Sequence, residues 1–175
     1  MTPDSILDFW FGQDRKAWFE KNPAFDEDIR RRFLALYASA AAGGLQHWVK
    51  EPRSALALVI LLDQFPRNMF RGEPRAFATD PLALDAARAI VAHGWDQGFS
   101  ADERTFAYLP FEHSEALEDQ ETAMRLFSGN PNFEWARRHW EIIQRFGRFP
   151  HRNAILGRAS TPEEVEFLKT PGSGF

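Results

Sequence analysis

From Pro52 to Phe65 the chain reads PRSALALVILLDQF, and the stretch Ala55–Leu62 within it carries no polar residue on any side. A helix that is apolar all round is stable in water only when other elements surround it. A run of this length could also form a buried strand, but its Leu and Ala content and its lack of alternation favour a helix. The chain is therefore expected to wrap further helices around this one, with Leu58, Ile60, Leu61 and Leu62 in the core. The run is far shorter than the ~20 apolar residues a membrane-spanning helix needs. It ends in Asp63, the wrong sign for a helix C-terminus, so Asp63 is expected to contact Arg67, Arg71 or an Arg beyond 145.

Helix punctuation recurs along the rest of the sequence. Thr2-Pro3-Asp4 reads as an N-cap, a Pro at the first helical position and an acid in the first turn. Asn22-Pro23 opens an element with Phe25, Ile29, Phe33, Leu36 and Tyr37 at helical spacing. Thr79-Asp80-Pro81 caps another, and Ser100 with Glu103 and Thr161 with Glu164 form capping boxes. Pro110 is expected to restart the chain into FEHSEALEDQETAMRLF, and the tail PGSGF to fray or dock through Phe175. No window alternates as a half-buried strand does, and no Asn-Gly or Asp-Gly hairpin signal occurs. The expected fold is all-α, about nine helices in antiparallel pairs, as one domain over residues 1–175.

With no cysteine, the chain can form neither disulfides nor thiolate chemistry, which fits a reducing compartment. The N-terminus lacks the basic and apolar regions of a secretory signal, so a cytoplasmic location is expected. A net charge of −4 argues against a general nucleic-acid footprint.

Against that acidic background one segment is strongly basic. From Arg137 to Arg158 there are six Arg and two His against a single acid, Glu141, with Trp140, Phe146 and Phe149 between them and a break at Phe149-Pro150. On a helical wheel Trp135, His139, Ile142 and Phe146 share one stripe, which makes His139 a core histidine or one facing a pocket. An acidic stretch, with Glu112, Glu115, Glu118, Asp119 and Glu121, is the natural counterpart, and pairing of Arg145, Arg148 or Arg152 with it would be a structural network. His113 and Glu115, two apart on an expected helix, point to different sides. With no HExxH, ExxH or Cys, no metal and no cofactor is expected. There is no Gly-rich phosphate loop and no GxSxG elbow. An echo links Gln64-Phe65-Pro66-Arg67-Asn68 with Arg148-Phe149-Pro150-His151-Arg152-Asn153, each expected where a helix breaks at proline.

The stretches ILLDQFPRNMFRG, FATD, YLPFEHSE with DQE, and FGRFPHRNAILGRASTPEE resemble a bacterial family of unknown function, domain-of-unknown-function family 924. They run through nearly the whole chain. The resemblance implies an all-α fold of the tetratricopeptide-like superhelical type. It implies no activity and transfers no site residues.

Two functional expectations follow. In the first, a small anionic ligand or substrate binds a cleft lined by Arg148, His151, Arg152, Asn153, His113, Glu115 and Arg67, with Asp63 or Glu115 as an acid–base group. Pro150 would start a helix, HRNAIL, whose free first-turn amides attract an anion, unless Glu112 or Glu115 fills that place. In the second, the chain is an interaction module that takes a peptide in a groove, and its Arg/Glu network is purely structural. Whether a reaction follows, and the oligomeric state, are left open by the residues.

Overall fold

The computed structural model describes residues 1–174. Phe175, through which the tail was expected to dock if it did not fray, lies outside the described residues. The chain is all-α, and among the described residues there is no strand. It divides into two compact units, residues 1–71 with 75–110, and residues 72–74 with 111–174.

The first unit holds α1 (Pro3–Phe11), α2 (Arg15–Phe19), α3 (Pro23–Ala41), α4 (Pro52–Val59), α5 (Phe65–Met69), α6 (Asp80–Ala92) and most of α7 (Ala101–His113). Local signals place several starts. Thr2 and Ser5 form a reciprocal capping box at α1, and Asn22 accepts from the Ala24 and Phe25 amides at α3. Ser100 and Glu103 exchange bonds at the head of α7. α4 packs on α1, α6 and a 3-10 turn at Gln46–Lys50. Leu58, Ile60, Leu61 and Leu62 are buried as expected, none more than 5% exposed. Around them Trp10, Phe9, Phe33, Phe65 and Phe106 meet in offset and edge-on contacts, the closest being Phe33 on Phe65 at 4.7 Å between centroids.

The helix does not stop at Asp63. Residues Ile60–Gln64 widen into a π-helical turn that joins α4 to α5, so the acid expected at a C-terminus sits inside a continuous helix. The wider turn explains how Pro66 is tolerated near its start. The Phe65 amide reaches back five residues to the Ile60 carbonyl. Pro66 has no N–H to offer the Leu62 carbonyl, which accepts instead from the buried Thr79 hydroxyl at 2.6 Å. Thr79 thus stands at the N-cap of α6 without capping it through its side chain. A Phe-Pro pair is not a helix break here, contrary to the sequence reading.

The second unit holds the end of α7, α8 (Leu117–Leu126), α9 (Phe133–Phe146), a 3-10 turn at Pro150–Arg152, and α10 (Pro162–Leu168). α8 lies on α9, and α10 on the turn. Ile142, Ile143 and Phe149 form its apolar centre, flanked by Phe146 and Phe167. Pro110 does not restart the chain: α7 runs through it to His113. Phe106, Ala107, Tyr108 and Phe111 around it are buried, and their packing outweighs the ~3 kcal/mol helix penalty of proline. The helix break falls later, at residues 114–116, so Glu115 is on a connection and the acidic stretch is not one helix. Trp135 also departs from its wheel position. It is 51% exposed in the first turn of α9, ahead of the covered face at Ala136, His139 and Ile142, with the Arg138 guanidinium over its ring.

Candidate functional site

In the second unit the polar groups gather around one fully buried ring, Phe149. α9 ends at Gly147, whose left-handed backbone (φ +68°) is open to glycine at little cost and turns the chain back on itself. That reversal brings Phe149 under His139, from the middle of α9, with 5.5 Å between ring centroids. His151 lies 5.6 Å from the same ring, and the Arg152 guanidinium stands over it at 4.5 Å. His113, the last residue of α7, lies 6.4 Å from His139.

Glu112 and His139 form a buried couple, 3% and 5% exposed. His139 Nδ1 is 3.0 Å from Glu112 Oε1 and 2.8 Å from the Trp135 carbonyl oxygen. Both neighbours are acceptors, so Nδ1 carries the proton and donates, and the imidazole is oriented by a carboxylate. Glu112 Oε2 is buried and has no hydrogen-bond partner among the described residues.

Glu115 accepts from the Phe149 amide at 2.8 Å and from two nitrogens of Arg158 at 2.7 and 2.9 Å. Burial pushes its pKa up, but the Arg158 guanidinium, the Phe149 N–H and the charge of Arg152 outweigh this and hold it below the ordinary value. A carboxylate of the chain thus occupies the amide in front of Pro150, where an anion had been a candidate. The helix expected from HRNAIL does not form. Only the 3-10 turn does; Asn153 keeps a helical backbone just after it, while its Nδ2 donates to Ser160 and Glu164 and its Oδ1 accepts from Arg158.

Arg148 also has a fixed partner, though not on the acidic stretch. It makes a two-pronged contact with Glu164 at 2.7 and 2.8 Å, and Arg145 pairs with Glu163, both acids of α10. The guanidinium of Arg148 lowers the Glu164 pKa to about 2 against the opposing effect of burial, helped by the Thr161 amide and Asn153. Of the three arginines expected to answer the acids of 112–121, Arg145 and Arg148 pair elsewhere, while the charge of Arg152 acts on Glu115. The Thr161–Glu164 capping box marked Glu164 in the sequence, but only the reversal at Gly147 puts Arg148 against it. Arg158, which sequence reasoning passed over, is the residue that answers Glu115.

His151 is half-buried. Burial lowers its pKa to about 4, with the neighbouring Arg152, His139 and His113 acting in the same direction and Glu115 against it. It is neutral at pH 7. The remaining two sequence candidates, Asp63 and Arg67, belong to the first unit. There Arg67 lies 3.2 Å from the wholly buried Asp63, as expected, and makes a two-pronged contact with Asp80 at 2.8 and 3.0 Å. Burial works against the Arg67 charge, but Asp63 and Asp80 raise its pKa overall. Among the described residues no group of three or more His, Cys, Asp or Glu side chains could hold a metal ion, and no helix is long and apolar enough to cross a membrane.

Comparison with solved structures finds a protein of unknown function from Agrobacterium tumefaciens, similar at 44% identity and a TM-score of 0.92 over 95% of this chain and 96% of that one. A comparison with curated proteins finds no match. The model of a bacterial family of unknown function, DUF924, matches residues 6–172, and the chain belongs to that family.

Proposed function

We propose that the second unit binds a small anionic ligand through His113, His151 and Arg152, with His139 and Glu112 behind them as a proton-holding couple. The observation that carries this reading is the convergence of His139, His151 and the Arg152 guanidinium about the Phe149 ring, with His113 6.4 Å from His139. The nearby carboxylates are engaged within the chain, Glu112 by His139 and Glu115 by Arg158 and the Phe149 amide. At His151 burial, and then the neighbouring Arg152, His139 and His113, disfavour protonation, with Glu115 acting against them. Buried ionisable groups with displaced pKa values are where binding and acid–base chemistry concentrate. Arg148, Asn153 and Glu115 frame the turn through Glu164, Ser160 and the Phe149 amide.

An imidazole whose Nδ1–H is fixed on a carboxylate is arranged to exchange a proton at its other nitrogen. The Glu112–His139 couple supplies that capacity to a ligand held beside it. The test is a thermal-shift series with phosphate, sulfate and small di- and tricarboxylates on the intact chain. A ligand bound only by the folded state raises the melting temperature. His151→Gln, at a half-buried and neutral position, should keep the ligand-free melting temperature near its starting value and abolish the ligand-induced rise. No rise with any of these anions, or an undiminished rise in His151→Gln, refutes the reading.

A further inference from the structure

A cavity of about 550 Å³ opens in the first unit, between the end of α3, the 3-10 turn Gln46–Lys50 and the helices α4 and α6. Its walls are Leu45, Val49, Leu58, Leu62 and Leu82. It stays open because the facing positions carry residues too small to fill it, Ala40 at the end of α3 and Ala86 and Ala89 on α6. The volume falls within the ~300–1,000 Å³ of small-molecule sites. Leu58 and Leu62 on its walls are buried, and Leu82 at its edge is 36% exposed.

The rim carries charge of both signs, and the two are not equally available. Asp85 is faced by Arg88 on its own helix at 3.5 Å. Lys50, exposed on the opposite rim beside His47, is paired with none of the described carboxylates. Asp85 and Arg88 are both largely exposed and offset each other in net charge, so the excess charge at the rim is the positive one of Lys50, at one edge of the trough. We propose that this cavity is a second ligand site, independent of the histidine cluster, which takes an amphiphile with a single acidic head. An apolar chain lies along Leu58, Leu62 and Leu82, and the carboxylate meets the Lys50 ammonium and the His47 ring.

The experiment titrates the intact chain, methyl-labelled at leucine, with hexanoate, octanoate and decanoate below their micelle concentrations, with decanol and decylamine as the neutral and cationic counterparts. Leu45, Leu58, Leu62 and Leu82 methyl signals should shift, and affinity should rise roughly tenfold for each added pair of methylenes as apolar area is buried. Lys50→Glu should weaken decanoate about tenfold or more while leaving decanol unchanged. Ala89→Leu, at a half-buried position, should fill the trough and abolish binding of both, with an unchanged circular dichroism spectrum as the check on folding. Decylamine binding as tightly as decanoate, or Lys50→Glu without effect on decanoate, overturns the acidic head. Shifts confined to leucines outside the trough overturn the site, as does binding of an apolar helical peptide there with none of the carboxylates.

Discussion

Replacing Glu115 by Gln separates charge from shape at the centre of the second unit. The substitution keeps the side-chain volume and one acceptor for the Phe149 amide, but removes the charge that holds Arg158 by two bonds of 2.7 and 2.9 Å. Hydrogen bonds between charged groups contribute ~1.5–3 kcal/mol when well shielded. Here the two side chains are 25% and 28% exposed, and solvent screening brings the expected loss to about 2 kcal/mol. For a chain of this length that corresponds to roughly 4–8 °C in melting temperature. The pH dependence gives an independent check. Because the folded-state pKa of Glu115 is depressed, its stabilisation is fully present above the ordinary value of 4.5 and is lost as pH falls through the folded value. Urea unfolding, followed by tryptophan fluorescence at pH 7 and again at successively lower pH, should show a gap between the two proteins that closes below pH 4.5. A loss under ~0.5 kcal/mol at pH 7, or a gap that survives acidification unchanged, refutes the role given to this carboxylate.

Three further outcomes are expected. Leu61→Ala, at a wholly buried position, should lower stability by ~2–5 kcal/mol in denaturant unfolding. Thr79→Val removes the hydroxyl that serves the Leu62 carbonyl opposite Pro66 and should cost ~1–3 kcal/mol, with a sharper loss of amide protection in residues 60–66 than elsewhere in hydrogen exchange. His151 contributes a pH dependence of the opposite sign to a paired base. Its folded pKa is depressed from 6.5 to about 4, so the folded state is penalised progressively as pH falls from 6.5 toward 4, by up to ~3 kcal/mol. His151→Gln should flatten that part of the stability profile.

The fold was legible where local chemistry and periodicity agree. Thr2, Asn22, Ser100 and Thr161 act at helix starts through their own side chains, and the all-round apolar run could only lie at a centre. Proline misled twice in the same direction, because its meaning depends on packing and on hydrogen-bond partners elsewhere in the fold. Pro66 is accommodated by a widened turn and a hydroxyl thirteen residues on, and Pro110 by buried aromatics on either side. In the first unit, Arg67 with Asp63 was readable from a four-residue helical spacing. The partnership of Arg158 with Glu115 spans 43 residues and follows from the reversal at Gly147, which no spacing rule encodes. His139 was correctly marked as a histidine on the apolar face, but its Glu112 partner sits on another helix and left no local signal.

The most direct test of the proposed anion site is the pKa of His151, read by proton–nitrogen NMR of the imidazoles with and without saturating phosphate. Binding a negative charge beside an imidazole favours its protonated form, and by linkage the anion binds more tightly as pH falls. The His151 pKa should lie near 4 in the free protein and rise by at least one unit with phosphate. A His151 pKa that stays in place while phosphate is saturating, or a free-protein value at the ordinary 6.5, contradicts the proposed site.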